Sequence, residues 1–239
     1  MKFLDLSLPT PAANLACDEA LLNLCEAEAS GPVLRFWEPP AVFVVVGYAN
    51  RAAREVKLET CRAAQIPVLR RCSGGGTIVQ GAGCLNYSLI FPISDTGPFR
   101  SITSTNTFVM EEHRRTFSTL LQADVQARGH TDLALAGRKF SGNAQRRRSR
   151  ALLFHGTFLL GLELALIEQL LPLPSQEPAY RQHRSHQEFL TNLPLAPKAV
   201  KAALRNCWQA DSVFDEVPWT AIEQLVAQKY ETDAWNLRH

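Results

Sequence analysis

The chain lacks the features that would sort it quickly into a class. Its longest strongly apolar run, AVFVVVGY at 41–48, is the length of a buried strand and far too short to span a bilayer. The N-terminal MKFLDLSLPTPAANLACDEALL has no basic segment leading into an apolar stretch. It carries Asp5, Asp18 and Glu19 instead, which predicts no secretory or transit peptide and a cytoplasmic location. The six cysteines, at 17, 25, 61, 72, 84 and 207, include no C-x-x-C pair, so neither a zinc site nor a disulfide framework is expected and the thiols are read as reduced. A formal charge of +2 gives no global attraction for nucleic acid. There are no internal repeats, low-complexity tracts or dividing linkers. With 239 residues, 46% of them apolar and 20% charged, the composition is that of one ordinary globular domain covering 1–239.

Against those absences, the local signals are clear. Thr10 can cap a helix with Pro11 at its first position, ending before Gly31-Pro32, which predicts helix at about 11–29. VLRFWEP and VFVVVGY read as successive strands separated by Pro39-Pro40, and a helix at about 52–64 follows, stopped by Pro67. VLRR, GTIVQ and LNYSLIFP read as short strands broken by glycines. Val109, Thr116, Phe117, Leu120 and Leu121 share one face of a helix over 103–122. DLALAGRKFSGNAQ reads as a tight hairpin around Gly137, RALLFHGTFLLG as a further strand, and 197–208 and 218–230 as helical. The order predicts an α+β fold with a mixed, largely antiparallel sheet flanked by helices.

Three segments carry side chains suited to chemistry. In RRCSGGGTIVQGAGCLNYS, 70–88, the glycines at 74–76 let backbone N–H groups approach a phosphate or carbonyl, or simply make a tight turn. The segment matches neither G-x-x-x-x-G-K-[ST] nor G-x-G-x-x-G. In GRKFSGNAQ, strict alternation places Lys139 and Ser141 on one face and Arg138 and Phe140 on the other, where Lys139 is either a compact cation for a phosphate or a solvated hairpin residue. His155 stands in the otherwise apolar LLFHGTFLL, as a core residue or as a partner of the other two segments.

Together RRCSGGGTIVQGAGCLNYSLIFP, DLALAGRKFSGNAQRR and HGTFLL resemble, in order and spacing, the lipoate-protein ligases, relatives of the biotin-protein ligases. ANLACDEALL, VVVGY and KYETDAWN are similar to further features of that family, so the resemblance covers nearly the whole chain. It implies a fold like the catalytic domain of biotin and lipoate protein ligases and of class II aminoacyl-tRNA synthetases. It implies that lipoate, or octanoate, is activated with ATP and Mg²⁺ and moved to a lysine of a lipoyl carrier domain, of 2-oxoacid dehydrogenase E2 or glycine cleavage H protein type. By the same resemblance Arg70 or Arg71, Ser73, Gly74, Gly75 and Gly76 line the acyl and adenylate pocket, with Asn86 on the adjoining strand. Lys139 meets the acyl carbonyl and α-phosphate, Ser141 and Gly142 belong to its segment, and His155 lies beside the acyl-adenylate. No metal ligands within the protein, no nucleic acid and no membrane are implied.

The relatives divide into ligases and octanoyltransferases, and a cysteine decides between them. At the two positions where transferases of this family carry a nucleophile, this chain has Leu152 and Leu153, and the cysteine-free VQARGHTDLAL. Cys72 and Cys84 are therefore read as bystanders, and the ligase is the leading expectation, with the transferase as the alternative. AWNLRH resembles the close of the family's large domain, so the expectation is that the smaller C-terminal accessory domain is absent and either a separate subunit supplies it or the protein only transfers a ready-made acyl group. The basic run QRRRSR reads as a solvated loop in which Arg146, Arg147, Arg148 and Arg150 could steer an acidic carrier, and YRQHRSHQEFLTNL as a surface or lid segment.

Overall fold

Thr10 caps the first helix as its sequence predicts: its hydroxyl accepts from the N–H of Ala13, and Pro11 takes the first position. The helix runs Pro11–Glu26, and the left-handed backbone of Glu28, φ 58°, ends it before the Gly31-Pro32 stop is reached. The computed structural model describes residues 1–39 and 41–238; Pro40, half of the predicted Pro39-Pro40 break, and His239 lie outside them.

Among the described residues eleven strands form: β1 (Lys2–Asp5), β2 (Val33–Trp37), β3 (Phe43–Val46), β4 (Val68–Arg70), β5 (Ile78–Gln80), β6 (Cys84–Pro92), β7 (Val125–Arg128), β8 (Asp132–Leu135), β9 (Arg138–Arg147), β10 (Ala151–Leu159) and β11 (Ser212–Val213). Eight make one sheet in the order β11-β1-β2-β6-β10-β9-β8-β7, and three make a second, β4-β3-β5. β1 runs parallel to β2 and β11, and β3 parallel to β4, while the other pairs are antiparallel. The mixed, largely antiparallel sheet is thus as expected, but β1, β7 and β11 escaped the sequence reading because they are edge or near-edge strands of two to four residues. The helix predicted over 52–64 is two short helices, Ala52–Glu55 and Leu58–Ala63, separated at Val56, whose backbone is extended.

Alternation along the central strands sorts the large sheet into two faces. Leu34, Phe36, Tyr87, Leu89, Phe154 and Phe158 turn towards the helices Ile102–Leu121 and Pro197–Cys207 and form one core. Val33, Trp37, Ile90 and Leu153 turn the other way, beneath the Pro11–Glu26 helix and the small sheet. The register pairs Arg35 with Ser88, Ser88 with His155, and Asn86 with Thr157, so a polar row runs across the second face.

The β8–β9 hairpin turns through Ala136 and Gly137, both left-handed at φ 49° and 74°, as its sequence predicts. Strict alternation beyond the turn does not hold. Leu133 pairs with Ser141 but Ala134 pairs with Lys139, leaving Phe140 as the extra residue of a bulge. Phe140 packs 5.4 Å from the ring of Phe117, and Ser141 points at Asn143, whose amide meets Met110. Lys139 instead lies over Gly142, where an added Cβ would come within 2.8 Å of its Nζ. The predicted shared face of Lys139 and Ser141 is therefore corrected: the bulge puts them on opposite sides of the sheet.

Candidate active site

The glycine loop leaves β4 through two arginines with separate roles. Arg70 is fully buried and gives its guanidinium to the carbonyls of Gly47, Tyr48, Asn50, Trp235 and Arg238. It offers nothing to a ligand. Arg71 runs beneath the loop, donating from Nε to Ser73 Oγ and Gly74 O, both at 3.1 Å, and from Nη2 to Gly74 O and Gly76 O at 2.6 and 2.8 Å. Its Nη1 is buried without a partner, and burial lowers its pKa to about 10, which leaves it a cation at neutral pH.

These contacts fix the loop's peptide groups. The carbonyls of Gly74 and Gly76 are held by Arg71, and that of Gly75 accepts from Asn50 Nδ2 at 3.1 Å. None of the three glycine N–H groups finds an acceptor among the described residues, and the Cβ positions of Gly74 and Gly76 face open space. Gly75, at φ 86°, adopts a conformation that side chains disfavour. Held carbonyls and free amides over a buried cation give the loop the groups with which it could cradle an anion.

Beside the loop stands a linked set of polar side chains. Ser73 Oγ lies 2.6 Å from His155 Nε2, and His155 Nδ1 lies 3.4 Å from Asp18 Oδ2. Asp18 Oδ1 pairs with Arg35 Nη1 at 2.5 Å, and Arg35 also donates to Leu6 O, Asn14 O and Asn14 Oδ1. Burial alone would raise the Asp18 carboxyl, but the attraction of Arg35 and the contact with His155 outweigh it and hold the pKa below the ordinary value. A carboxylate facing Nδ1 favours the tautomer with its proton there, leaving Nε2 to accept from Ser73. The set ties the loop, β10, the first helix and β2 together.

Asn86 faces neither loop nor solvent. It exchanges two hydrogen bonds with Gln80, at 2.9 and 3.0 Å, and both residues contact Thr157 Oγ1, so the amide pair braces the small sheet against the large one. Lys139 Nζ forms an ion pair with Asp132 Oδ1 at 2.7 Å, and Tyr180 donates to Asp132 Oδ2 at 2.8 Å. Gly142 lies under Lys139, while Ser141 faces the opposite side of the sheet and does not join the site. Sequence reasoning missed Arg35, Gln80, Asp132, Thr157 and Tyr180. Arg35, a lone charge in VLRFW, was the one with a usable signal, and Asp18 showed only as part of a helix motif.

The thiols are free, and burial raises all six. Cys72 and Cys84 are pushed up to about 12. The basic run is not a free patch: Arg147 donates to Phe99 O, Arg148 reaches Glu19, Arg150 pairs with Glu28, and Arg146 stacks over Tyr48. The solvated-loop reading thus holds for the exposed turn Arg148, Ser149 and Arg150, whereas 145–147 are half-buried and belong to β9. The 180–193 segment packs on the β8–β9 hairpin, with Thr191 N–H donating to Lys139 O and Arg184 to Gly137 O. Among the described residues no group of three or more His, Cys, Asp or Glu side chains is placed to hold a metal, and no helix is long and apolar enough to cross a membrane.

The lipoyl protein ligase A/B catalytic domain model matches residues 10–203. The chain is 27% identical to octanoyltransferase LipM of Halalkalibacterium halodurans, over 99% of this chain and 98% of that protein. It is also 27% identical to lipoate-protein ligase 1 of Staphylococcus aureus, over 99% of this chain and 73% of that one. A structure from the analysis of an archaeal lipoylation system, a bi-partite lipoate protein ligase and its E2 lipoyl domain from Thermoplasma acidophilum, superposes with a TM-score of 0.83 at 25% identity, covering 99% of this chain and 95% of that chain.

Proposed function

The chain belongs to the lipoyl protein ligase A/B catalytic family, and from that premise we propose that it is an ATP-dependent lipoate-protein ligase. Lipoate and ATP give lipoyl-AMP and pyrophosphate; a lysine amine of a lipoyl carrier domain then displaces AMP and forms the amide, releasing a proton. Partners of the 2-oxoacid dehydrogenase E2 or glycine cleavage H type present such a lysine.

The observation that carries the ligase over a thioester route is the state of the thiols. A cysteine nucleophile must be reachable and act as thiolate, but Cys17, Cys25, Cys61, Cys72 and Cys84 are buried and Cys207 is half-buried, and burial raises the pKa of each. The anion cradle and Arg71 suit the phosphate of an acyl-adenylate. Lys139 suits the charge that grows on the carbonyl oxygen and the departing phosphate when the amine attacks. Magnesium would enter with ATP, and such sites bind it through substrate phosphates and water with one or two carboxylates, a mode that needs no cluster of three protein ligands. A second reading, octanoyl transfer from acyl carrier protein, is favoured by the identity with the Halalkalibacterium halodurans octanoyltransferase.

Incubating the protein with a lipoyl domain and either lipoate, ATP and Mg²⁺ or octanoyl carrier protein, read by mass, separates the two. Modification only from the thioester establishes the second reading. With preformed lipoyl-AMP, Lys139→Ala is expected to lose transfer by about 100-fold or more; native-like transfer by that variant would refute the role given to Lys139.

A further inference from the structure

We propose that Asp132 is the positioning residue of Lys139, and that Tyr180 holds Asp132 in place from the segment packed over the hairpin. The inference rests on the reading of Lys139 as the cation that meets the acyl and phosphate oxygens.

Lysine is a flexible point charge, and a preorganised site has to remove that freedom before the reaction begins. Three features of this chain do so. The bulge at Phe140 aims Lys139 at the face shared with the glycine loop and His155, where alternation alone would have carried Ser141 as well. Gly142 leaves the space that the lysine occupies, since a Cβ there would sit 2.9 Å from Cε and 2.8 Å from Nζ. The carboxylate of Asp132, opposite Gly142 in the β8–β9 register, then fixes the ammonium at 2.7 Å.

Asp132 is itself fixed. Its second oxygen accepts from Tyr180, whose hydroxyl is pushed well above its ordinary value by burial and by Asp132, so it remains a donor. Tyr180 belongs to the short turn Ala179–Arg181 and packs 5.0 Å from Phe189, and Arg184 of the same segment donates to Gly137 O. The pair is not sealed from a ligand: the side chains of Lys139 and Asp132 are 25% and 13% exposed. An ammonium has three N–H groups, and Asp132 engages one side of it, so two remain for a carbonyl oxygen and a phosphate oxygen.

The test uses the full chain, preformed lipoyl-AMP and a lipoyl domain, in EDTA so that no metal contributes. Asp132→Asn keeps the shape and the acceptor for Tyr180 but removes the charge. It is expected to lower kcat by about 30- to 100-fold while KM for the carrier domain stays within about threefold, the pattern of a misplaced catalytic group. Gly142→Ala displaces Nζ without touching any charge and is expected to lower kcat by a similar factor, and Tyr180→Phe by about 3- to 10-fold. Melting temperatures recorded alongside identify any variant whose loss comes from unfolding, and the remaining variants decide. An Asp132→Asn protein within twofold of native transfer, or one whose loss lies in KM alone, overturns the inference while leaving Lys139 in its role. Native transfer by Lys139→Ala overturns the underlying reading and this inference with it.

Discussion

Arg70 and Arg71 are neighbours with the same guanidinium, and the direction each takes at the end of β4 separates a brace from a loop support. Arg70 turns into five carbonyls from two segments, so its charge is neutralised by dipoles and its place is structural. Arg71 turns beneath the glycines and keeps one nitrogen unpaired. The same scale settles how the thiols behave. Cys72 follows Arg71 but is buried beside Tyr230 and Glu19, and Cys84 is buried at the start of β6, so neither is ionised at neutral pH. Replacing each with serine is expected to leave at least about half of the transfer activity, because neither thiol is a nucleophile. An inactive Cys72→Ser or Cys84→Ser protein that melts like the native one would restore the thioester route.

At the scale of elements, the glycine loop is shaped from outside as much as by its own residues. Tyr48 N–H donates to Ser73 O, and Gly47 approaches so closely that a Cβ on it would lie 2.0 Å from Gly75 O. Gly47→Ala must therefore displace the loop backbone, and is expected to lower transfer by about 100-fold while the sheets stay folded, measured as kcat with lipoyl-AMP alongside far-ultraviolet circular dichroism. Unchanged kcat would show that the loop's position does not matter. The other side of the loop is clamped by the C-terminal Asp233–Asn236 helix. Trp235 donates to Arg70 O and Asn236 accepts from Arg70 N–H, while Lys229 and Tyr230 hold Glu19 on the first helix. KYETDAWN thus reaches the site's supports from the far end of the sequence.

Across the whole molecule, the pair of Asp18 and Arg35 joins the first helix to the centre of the large sheet, where both side chains are buried. Asp18→Asn leaves the guanidinium without its counter-charge and is expected to cost about 3–5 kcal/mol in urea unfolding at pH 7. The pH dependence follows from the lowered folded pKa of Asp18. The contribution is complete above the unfolded carboxyl value, near 4, and is lost as pH falls through the lower folded value. Native stability should fall below about pH 4 more steeply than that of Asp18→Asn. Parallel curves for the two proteins would rule out Asp18 as a source of acid sensitivity.

What the sequence determined by itself was local. The Thr10 cap, the turn at Gly137, the apolar alternation of β2, β6 and β10 and the spacing of the glycine, lysine and histidine motifs all depend on neighbouring residues, and they sufficed for the fold class and the family. Tertiary structure alone decided which arginine lies under the loop, that Ser141 leaves the site, and that Asp18, Asp132 and Tyr180 enter it. Asp18 meets His155 across 137 positions, and Tyr180 meets Asp132 across 48. The bulge that reverses Lys139 against Ser141 is a matter of pairing with β8 and packing on Phe117. Side-chain direction follows a short period only while the backbone stays regular, and contacts between distant segments leave no trace in that period.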